Sequence, residues 1–185
     1  MSQDAILLVC TANQCRSPMA EAMLRACLGE QNPIDVGSAG FLDDGTPCPE
    51  DVLVVMDELD LDLSQHRSRR VTSEIVSNAT LIVTMARQHA IDLVVEFPVA
   101  WERTFTVTDL LERSSVAGGR ALGETVEAWV ARINGGRQRS DQLRLPSRGD
   151  IPDPIGRSLR EYRQTRDRLL EFTRTLAELV SAADR

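Results

Sequence analysis

Four short apolar runs, partly β-branched, alternate along this 185-residue chain with longer stretches of helical spacing. The runs are Ala5–Val9, Ile34–Val36, Leu81–Thr84 and Thr104–Val107. Helical spacing begins at Ser17–Pro18 and recurs over residues 50–59, 87–95, 122–133 and 159–180. Neighbouring parallel strands need a long crossover, usually a helix, so this alternation is typical of a parallel α/β sheet. The sequence therefore predicts one domain over residues 1–185, a doubly wound, four-stranded parallel sheet flanked by helices.

The charge balance limits the partners of the chain. All 21 basic residues are arginine, and 28 acidic residues bring the net charge to -7, which disfavours general binding to nucleic acid. The N-terminus lacks the basic region of a secretion signal, and the apolar run 5–10 is too short to span a membrane. We expect a cytoplasmic protein that binds neither nucleic acid nor membrane, with free thiols at its four cysteines.

The most informative stretch joins the first strand to the first helix. Cys10 ends the strand, and Arg16 follows six positions later, just before the helical Ser17–Pro18. A loop of this length can surround a tetrahedral oxyanion with backbone N–H groups and the positive end of a helix dipole. The same field favours the nucleophilic thiolate of Cys10. From these residues alone, a plain buried thiol at Cys10 and a surface charge at Arg16 stay open as the alternative.

The surrounding residues resemble the signature of the low-molecular-weight protein tyrosine phosphatase family, Cys-x-Gly-Asn-x-Cys-Arg-Ser-Pro. The matching positions are Cys10, Asn13, Cys15, Arg16, Ser17 and Pro18. The resemblance continues, in the family's order, with Ser38-Ala39-Gly40, with residues 61–70 and with Asp153-Pro154. It implies a hydrolase that forms a cysteinyl-phosphate and acts on phosphorylated protein, chiefly phosphotyrosine, or on small phosphomonoesters. It implies no metal and no other cofactor.

The resemblance also assigns catalytic roles. Cys10 is the nucleophile, and Arg16 binds the phosphoryl oxygens together with the N–H groups of Thr11, Ala12, Asn13, Gln14 and Cys15. Ser17 donates its hydroxyl to the sulfur of Cys10, although a plain helix N-cap is compatible with the same position. Asp153 is the acid that protonates the leaving oxygen and then the base that activates water. Without the resemblance, Asp150 and Asp153 are both candidates, because Asp before Pro is also an ordinary turn former.

Supporting roles fall on residues outside the reacting set. Asn13, Ser38 and His66 match the network that holds the family's loop in its strained conformation. Cys15 matches a thiol that forms a reversible disulfide with the nucleophile, with a merely packed thiol as the alternative. Cys27 is expected on the buried face of the first helix and Cys48 in a Pro-flanked turn, neither with a chemical role.

The chain departs from the family at the loop and at the walls of the site. Ala12 replaces the loop glycine, and Gln14 matches neither the tyrosine phosphatases nor the arginine phosphatase branch. The aromatic residues that usually sandwich a phosphotyrosine ring are missing, so we expect Phe41 and Ile155 to form an apolar rim instead. Residues 112–149 form a longer loop and helix insertion than the family core needs, either a lid or partner surface or a solvated insertion without function.

Three alternatives to a phosphotyrosine phosphatase remain. Phosphoarginine is a variant within the same chemistry. An arsenate reductase of the same fold normally completes its cycle with further thiols downstream. Because no cysteine follows Cys48, that enzyme would here need an external thiol. The third alternative is a phosphate-binding module without turnover, which the intact set of Cys10, Arg16 and Asp153 argues against.

Overall fold

The computed structural model describes residues 4–138 and 149–181. Four parallel strands form one sheet in the order β2-β1-β3-β4. The strands are β1 (Ala5–Cys10), β2 (Asp35–Gly40), β3 (Leu81–Thr84) and β4 (Thr104–Thr106). The helices are α1 (Arg16–Leu28), α2 (Glu50–Asp57), α3 (Ser73–Asn78), α4 (Arg87–Glu96), α5 (Val107–Ala117), α6 (Val126–Ile133) and α7 (Leu159–Val180), with a 3-10 turn at Pro98–Arg103.

Both faces of the sheet are buried, as the doubly wound prediction requires. Ile6 and Leu8 of β1 belong to one apolar cluster, which also contains the buried residues of α1, α2 and α7. Leu7 and Val9 belong to a second cluster on the opposite face, together with residues of α3 and α4. Successive side chains of a strand point to opposite faces, so a continuous apolar run is what a doubly covered strand needs. The predicted fold class is confirmed.

Several boundaries differ from the predictions. β2 extends through Gly40, beyond the predicted end at Val36, because the small residues there allow close approach. A Cβ placed on Gly40 would lie 2.7 Å from both the backbone N of Asn13 and the O of Thr11. Helices α3 and α5 were not predicted, and each begins after a threonine that caps it, Thr72 and Thr106.

Helix α1 departs from its prediction at both ends. It begins at Arg16 with Cys15 before it, so Ser17 lies inside the first turn and is not its N-cap. Its buried residues end at Leu24, and the last turn leaves Cys27 exposed. The prediction of a buried Cys27 is therefore wrong, because in the last turn Leu28 packs against the core while Cys27 is exposed.

The segment predicted as an insertion is partly packed into the core. Helix α6 buries Val126, Trp129, Val130 and Ile133, and Trp129 is fully enclosed. Arg137 places its guanidinium 4.3 Å from the ring centre of Phe105 on β4, close enough for a cation–π contact. Residues 139–148, which the prediction also included, lie outside the described residues.

Candidate active site

Cys10 lies at the carboxyl end of the central strand β1, directly below the first turn of α1. Its residue is 2% exposed, and its Sγ lies 3.0 Å from Oγ of Ser17. The Ser17 hydroxyl also accepts a hydrogen bond of 2.9 Å from Nδ2 of Asn13. The hydroxyl hydrogen has two possible acceptors, the sulfur at 3.0 Å and the carbonyl oxygen of Ala39 at 3.5 Å. A hydrogen bond from the hydroxyl to a thiolate stabilises the thiolate. The geometry brings Cys10 and Ser17 into the contact that the resemblance implies, and their catalytic roles stay a prediction.

Asn13 holds the loop from its centre. It adopts a left-handed conformation with φ of 54°, which Asn tolerates better than most residues. Its Nδ2 donates to Ser17 and, at 2.7 Å, to Oγ of Ser38, while its Oδ1 accepts from the backbone N of Arg69 at 2.8 Å. Nε2 of His66 lies 2.8 Å from the Asn13 carbonyl oxygen. The structure therefore places Asn13, Ser38 and His66 in one network.

Two members of this network were missed from the sequence. Glu21 accepts a 2.6 Å hydrogen bond from the Ser38 hydroxyl, and Arg69 donates from its side chain to the carbonyl of Ser38 at 2.9 Å. Arg69 belongs to the stretch 61–70 that resembles the family, and Glu21 follows the Cys10–Pro18 motif by three positions, but nothing in their residue type singled them out. A charged residue next to a motif is usually solvated, so only the folded contact identifies it.

Arg16 joins the loop to a distant part of the chain. Its guanidinium is largely buried, donating from Nη1 to the carbonyl of Ile151 at 3.1 Å and from Nη2 to Asp153 Oδ2 at 2.5 Å. The same Nη2 lies 3.2 Å from Oγ1 of Thr11. The Asp153 side chain remains 41% exposed, so it borders solvent at the mouth of the site. Cys10, Arg16 and Asp153 thus converge at one edge of the sheet.

The structure separates the two aspartates that the residues alone left open. Asp150 Oδ1 accepts a 2.8 Å hydrogen bond from the backbone N of Arg87, the first residue of α4. A carboxylate at a helix N-terminus satisfies an unpaired N–H group and the helix dipole. Asp150 is therefore occupied with α4, and Asp153 is the aspartate that reaches Arg16.

We call residues 149–155 the acid loop. Besides the side-chain contacts of Asp150 and Asp153, this loop is held mainly through its backbone. Ile151 N donates to the carbonyl of Met85 at 2.8 Å, and Thr108 Oγ1 donates to the carbonyl of Gly149 at 3.0 Å. These partners lie at the ends of β3 and β4, where the carboxyl edges of parallel strands meet.

His89 on the first turn of α4 is a further residue of the site that the sequence did not indicate. Its ring is 6% exposed and stacks on Phe41 with ring centres 6.1 Å apart. Its Nε2 lies 2.9 Å from Oγ1 of Thr11 in the loop. Burial, with Arg16 nearby, lowers the pKa of His89 to about 4, so the ring is neutral at pH 7.

The mouth of the site is lined by small and polar groups with few aromatic ones. Gln14 and Phe41 border a cavity of about 330 Å³ together with Leu42, Asp43, Thr46 and Arg70. Ile155 is 44% exposed beside the Asp-Pro pair. The chain's one tyrosine, Tyr162, is 2% exposed inside α7 and cannot serve as a wall.

The other two cysteines of the core lie close enough to Cys10 to interact with its charge. Burial raises the pKa of Cys15, and a charge on Cys10 raises it further. The same two causes raise the pKa of Cys48 to about 12. All four cysteines are free thiols in this structure.

Within residues 4–138 and 149–181, no cluster of three metal-ligating side chains occurs. No described helix is long and apolar enough to cross a membrane.

These features define the class of small cysteine-dependent phosphatases. They are a thiol at the end of the first parallel strand, an arginine at the start of the following helix and a carboxylate opposite. The family model described as "Low molecular weight phosphotyrosine protein phosphatase" matches residues 5–118. The chain belongs to this family, and the predicted type of enzyme, a low-molecular-weight protein-tyrosine-phosphatase-like hydrolase, is confirmed.

The relatives carry different names. The chain is 31% identical over 139 residues to a probable low molecular weight protein-tyrosine-phosphatase, EpsP, of Ralstonia solanacearum, covering 69% of this chain and 94% of the relative. It is 30% identical over 175 residues to a protein-arginine-phosphatase of Geobacillus stearothermophilus, covering 94% of this chain and 93% of the relative. It is 38% identical over 85 residues to arsenate reductase 2 of Staphylococcus saprophyticus, covering 46% of this chain and 62% of the relative.

The fold is similar to that of solved structures over most of the chain. The structure of the YwlE arginine phosphatase from Geobacillus stearothermophilus matches with a TM-score of 0.69 and 30% identity, covering 95% of this chain and 91% of that one.

Proposed function

We propose that this chain hydrolyses phosphomonoesters on proteins, with phosphotyrosine as the principal substrate, through a cysteinyl-phosphate on Cys10. The observation that carries the proposal is the double contact of Arg16 Nη2, with Thr11 Oγ1 in the loop and with Asp153 Oδ2. One guanidinium thus connects the proposed phosphate-binding loop to the proposed acid, although the two lie 137 positions apart.

In the first proposed step, Sγ of Cys10 attacks phosphorus while Asp153 gives its proton to the departing oxygen. The phosphoryl oxygens exchange their water for the loop N–H groups and for the guanidinium of Arg16. A dianion there competes directly for Nη2, which releases the Asp153 carboxyl toward the leaving group.

In the second proposed step, Asp153 takes a proton from water, and the resulting hydroxide attacks phosphorus. The S–P bond breaks, and Cys10 leaves as a thiolate that accepts the hydrogen bond of Ser17 at 3.0 Å. The products are inorganic phosphate and the regenerated thiolate. None of these steps requires a metal or a cofactor.

Phosphoarginine is a second candidate substrate. The relatives named protein-arginine-phosphatase cover 94% of this chain at 30% identity, whereas the tyrosine-phosphatase relative EpsP covers 69%. The mouth also lacks the tyrosines that would sandwich an aryl ring, with Phe41 and Ile155 in their place. Arsenate reduction is the weaker alternative, because it requires a thiol supplied from outside the chain.

The test is the hydrolysis of para-nitrophenyl phosphate, a phosphotyrosine peptide and a phosphoarginine peptide by the wild type, Cys10→Ser and Asp153→Ala. We expect Cys10→Ser to abolish turnover and Asp153→Ala to lower kcat by about 100-fold to 1000-fold, the typical contribution of a general acid. Mass spectrometry of a quenched reaction should show phosphate on Cys10. Activity that survives in Cys10→Ser would contradict the mechanism, and arsenate reduction by a wild type inert on all three phosphates would replace the function.

A further inference from the structure

His89 and Thr11 form a polar pair at the rim of the phosphate loop that the mechanism above does not use. Thr11 follows the nucleophile directly, and His89 reaches it from α4, 78 residues further along the chain. The backbone places the two elements together, because Met85 N at the end of β3 donates to the carbonyl of Val9 at the end of β1 at 2.9 Å. Phe41, whose N donates to the Thr11 carbonyl at 2.7 Å, stacks on the His89 ring.

The hydrogen bonds of the Thr11 hydroxyl can be counted. A hydroxyl has one hydrogen and two lone pairs, and a guanidinium only donates. Nη2 of Arg16, at 3.2 Å, therefore occupies one lone pair of Oγ1. The partner at 2.9 Å, Nε2 of His89, either donates to the second lone pair or takes the hydroxyl hydrogen.

The environment of the ring decides between these two tautomers. A neutral imidazole carries one N–H group, on Nδ1 or on Nε2. Nδ1 of His89 is buried and has no hydrogen-bond partner. Buried N–H groups without an acceptor are rarer than under-satisfied acceptors, so the hydrogen belongs on Nε2, where it is donated to Thr11.

Both lone pairs of Thr11 Oγ1 are then occupied by donors, so its O–H must point to a third group, which has to be an acceptor. Thr11 is exposed at the mouth, and Arg16 Nη2, which contacts its hydroxyl, also contacts Asp153. An oxyanion held by Arg16 is the acceptor that lies within reach of this hydroxyl.

We propose that Thr11 donates its side-chain hydroxyl to the phosphoryl group, and that His89 is the positioning residue that fixes the direction of that donation. The inference rests on the proposed function, since it needs a phosphoryl ligand in the loop. It adds one side-chain donor to the backbone N–H groups and to Arg16.

The first measurement uses inorganic phosphate as the probe, as an inhibitor of para-nitrophenyl phosphate hydrolysis and by titration calorimetry. A hydrogen bond to a charged group is worth enough that its loss from Thr11→Val should weaken phosphate binding about 10-fold. Thr11→Ser, which retains the hydroxyl, should restore most of the affinity. A Thr11→Val protein that binds phosphate within about twofold of the wild type would overturn the proposal.

The second measurement separates this role from simple support of Arg16. His89→Leu removes the donor to Thr11 but leaves Thr11 free to accept from Arg16, so support of Arg16 alone predicts no effect. We expect His89→Leu to weaken phosphate binding about fivefold, and His89→Gln, whose amide can donate, to recover much of that loss. Gln88→Leu is the matched control, because Gln88 is the exposed neighbour on the same turn and its side-chain amide donates to Asp92, away from Thr11.

The double variant gives the decisive comparison. If His89 acts through Thr11, His89→Leu should have no further effect on phosphate affinity in a Thr11→Val background. Additive losses, or equal losses from His89→Leu and Gln88→Leu, would overturn the proposal. Thermal unfolding of each variant shows whether the fold is retained.

Calorimetry with phosphate also distinguishes a failure of this inference from a failure of the proposed function. Binding needs no turnover, so it can be repeated in a Cys10→Ser background. A protein that hydrolyses none of the phosphates, yet binds phosphate through Thr11 and His89, would refute the proposed function and uphold this inference. Normal hydrolysis with affinity that is independent of both residues would do the opposite.

Discussion

The phosphate loop, residues 10–17, and the acid loop, residues 149–155, are held in place by different means. The phosphate loop is fixed by side chains, since Asn13 alone bonds to Ser17, Ser38 and the backbone of Arg69. The acid loop is held through its backbone to α1, β3 and α5 and through the Asp150 side chain to α4, and the carboxyl of Asp153 stays partly exposed. A rigid cradle can bind the phosphoryl group while a separately held carboxyl moves a proton, so damage to each loop should have a different kinetic signature.

The largest effect should follow from breaking the side-chain network of the phosphate loop. Asn13→Ala removes one hydrogen bond from Ser17 and one from Ser38, leaves the Arg69 N–H without its acceptor and places Ala in a left-handed conformation. We expect kcat/KM for para-nitrophenyl phosphate to fall about 100-fold and phosphate inhibition to weaken, because the loop N–H groups lose their alignment.

Asp60→Ala provides the control for backbone strain. Asp60 is the other described non-glycine residue with positive φ, 57°, and it lies exposed beyond α2. This variant should lose a little stability and keep kcat/KM. Equal activity losses in Asn13→Ala and Asp60→Ala would mean that the network around Asn13 has no specific effect on the site.

A smaller effect on activity, confined to kcat, should follow from loosening the acid loop. Asp150→Ala removes the acceptor for the Arg87 N–H and with it a helix cap, typically worth 0.5–2 kcal/mol. We expect kcat to fall about 10-fold, since Asp153 loses its position, while the inhibition constant of phosphate stays within about twofold. Asp150→Asn retains an acceptor and should retain most of kcat. A loss of phosphate affinity equal to the loss of kcat would show that the two loops are not held independently.

The same contrast explains which parts of the site could be predicted from the sequence. The strand, loop and helix around Cys10 and Arg16 are contiguous, so their spacing and composition carry the signal. The roles expected for Asn13, Ser38 and His66 came from a resemblance, and the structure places all three in contact. The choice between Asp150 and Asp153 could not be made from local residues, because it depends on which carboxyl meets α4 and which meets Arg16.

The missed residue and the wrong prediction also depend on contacts with distant parts of the chain. A histidine on a helix gives no sequence signal for a partner 78 residues away, and so His89 was missed. Cys27 was assigned to the buried face of α1 because helical spacing does not tell which side chains near the end of a helix a neighbouring element covers. The fold class was predictable because burial of both sheet faces imposes its pattern on every strand, including the strand Ala5–Cys10.

Both loops contact the first turn of α4, where Asp150 caps the helix and His89 contacts Thr11. A change in the free energy of unfolding that arises at this turn can therefore be measured without altering the proposed reacting groups. The pKa of His89 is about 4 in the folded protein and 6.5 in the unfolded chain. Between pH 6.5 and pH 4 the unfolded chain therefore binds a proton that the folded protein does not, and stability falls as the pH is lowered through this window. Relative to His89→Gln, the wild type should lose on the order of 2 kcal/mol in the free energy of unfolding between pH 7 and pH 4.5, measured by urea denaturation. A difference between the two proteins that is the same at both pH values would mean that His89 is not held neutral by its burial.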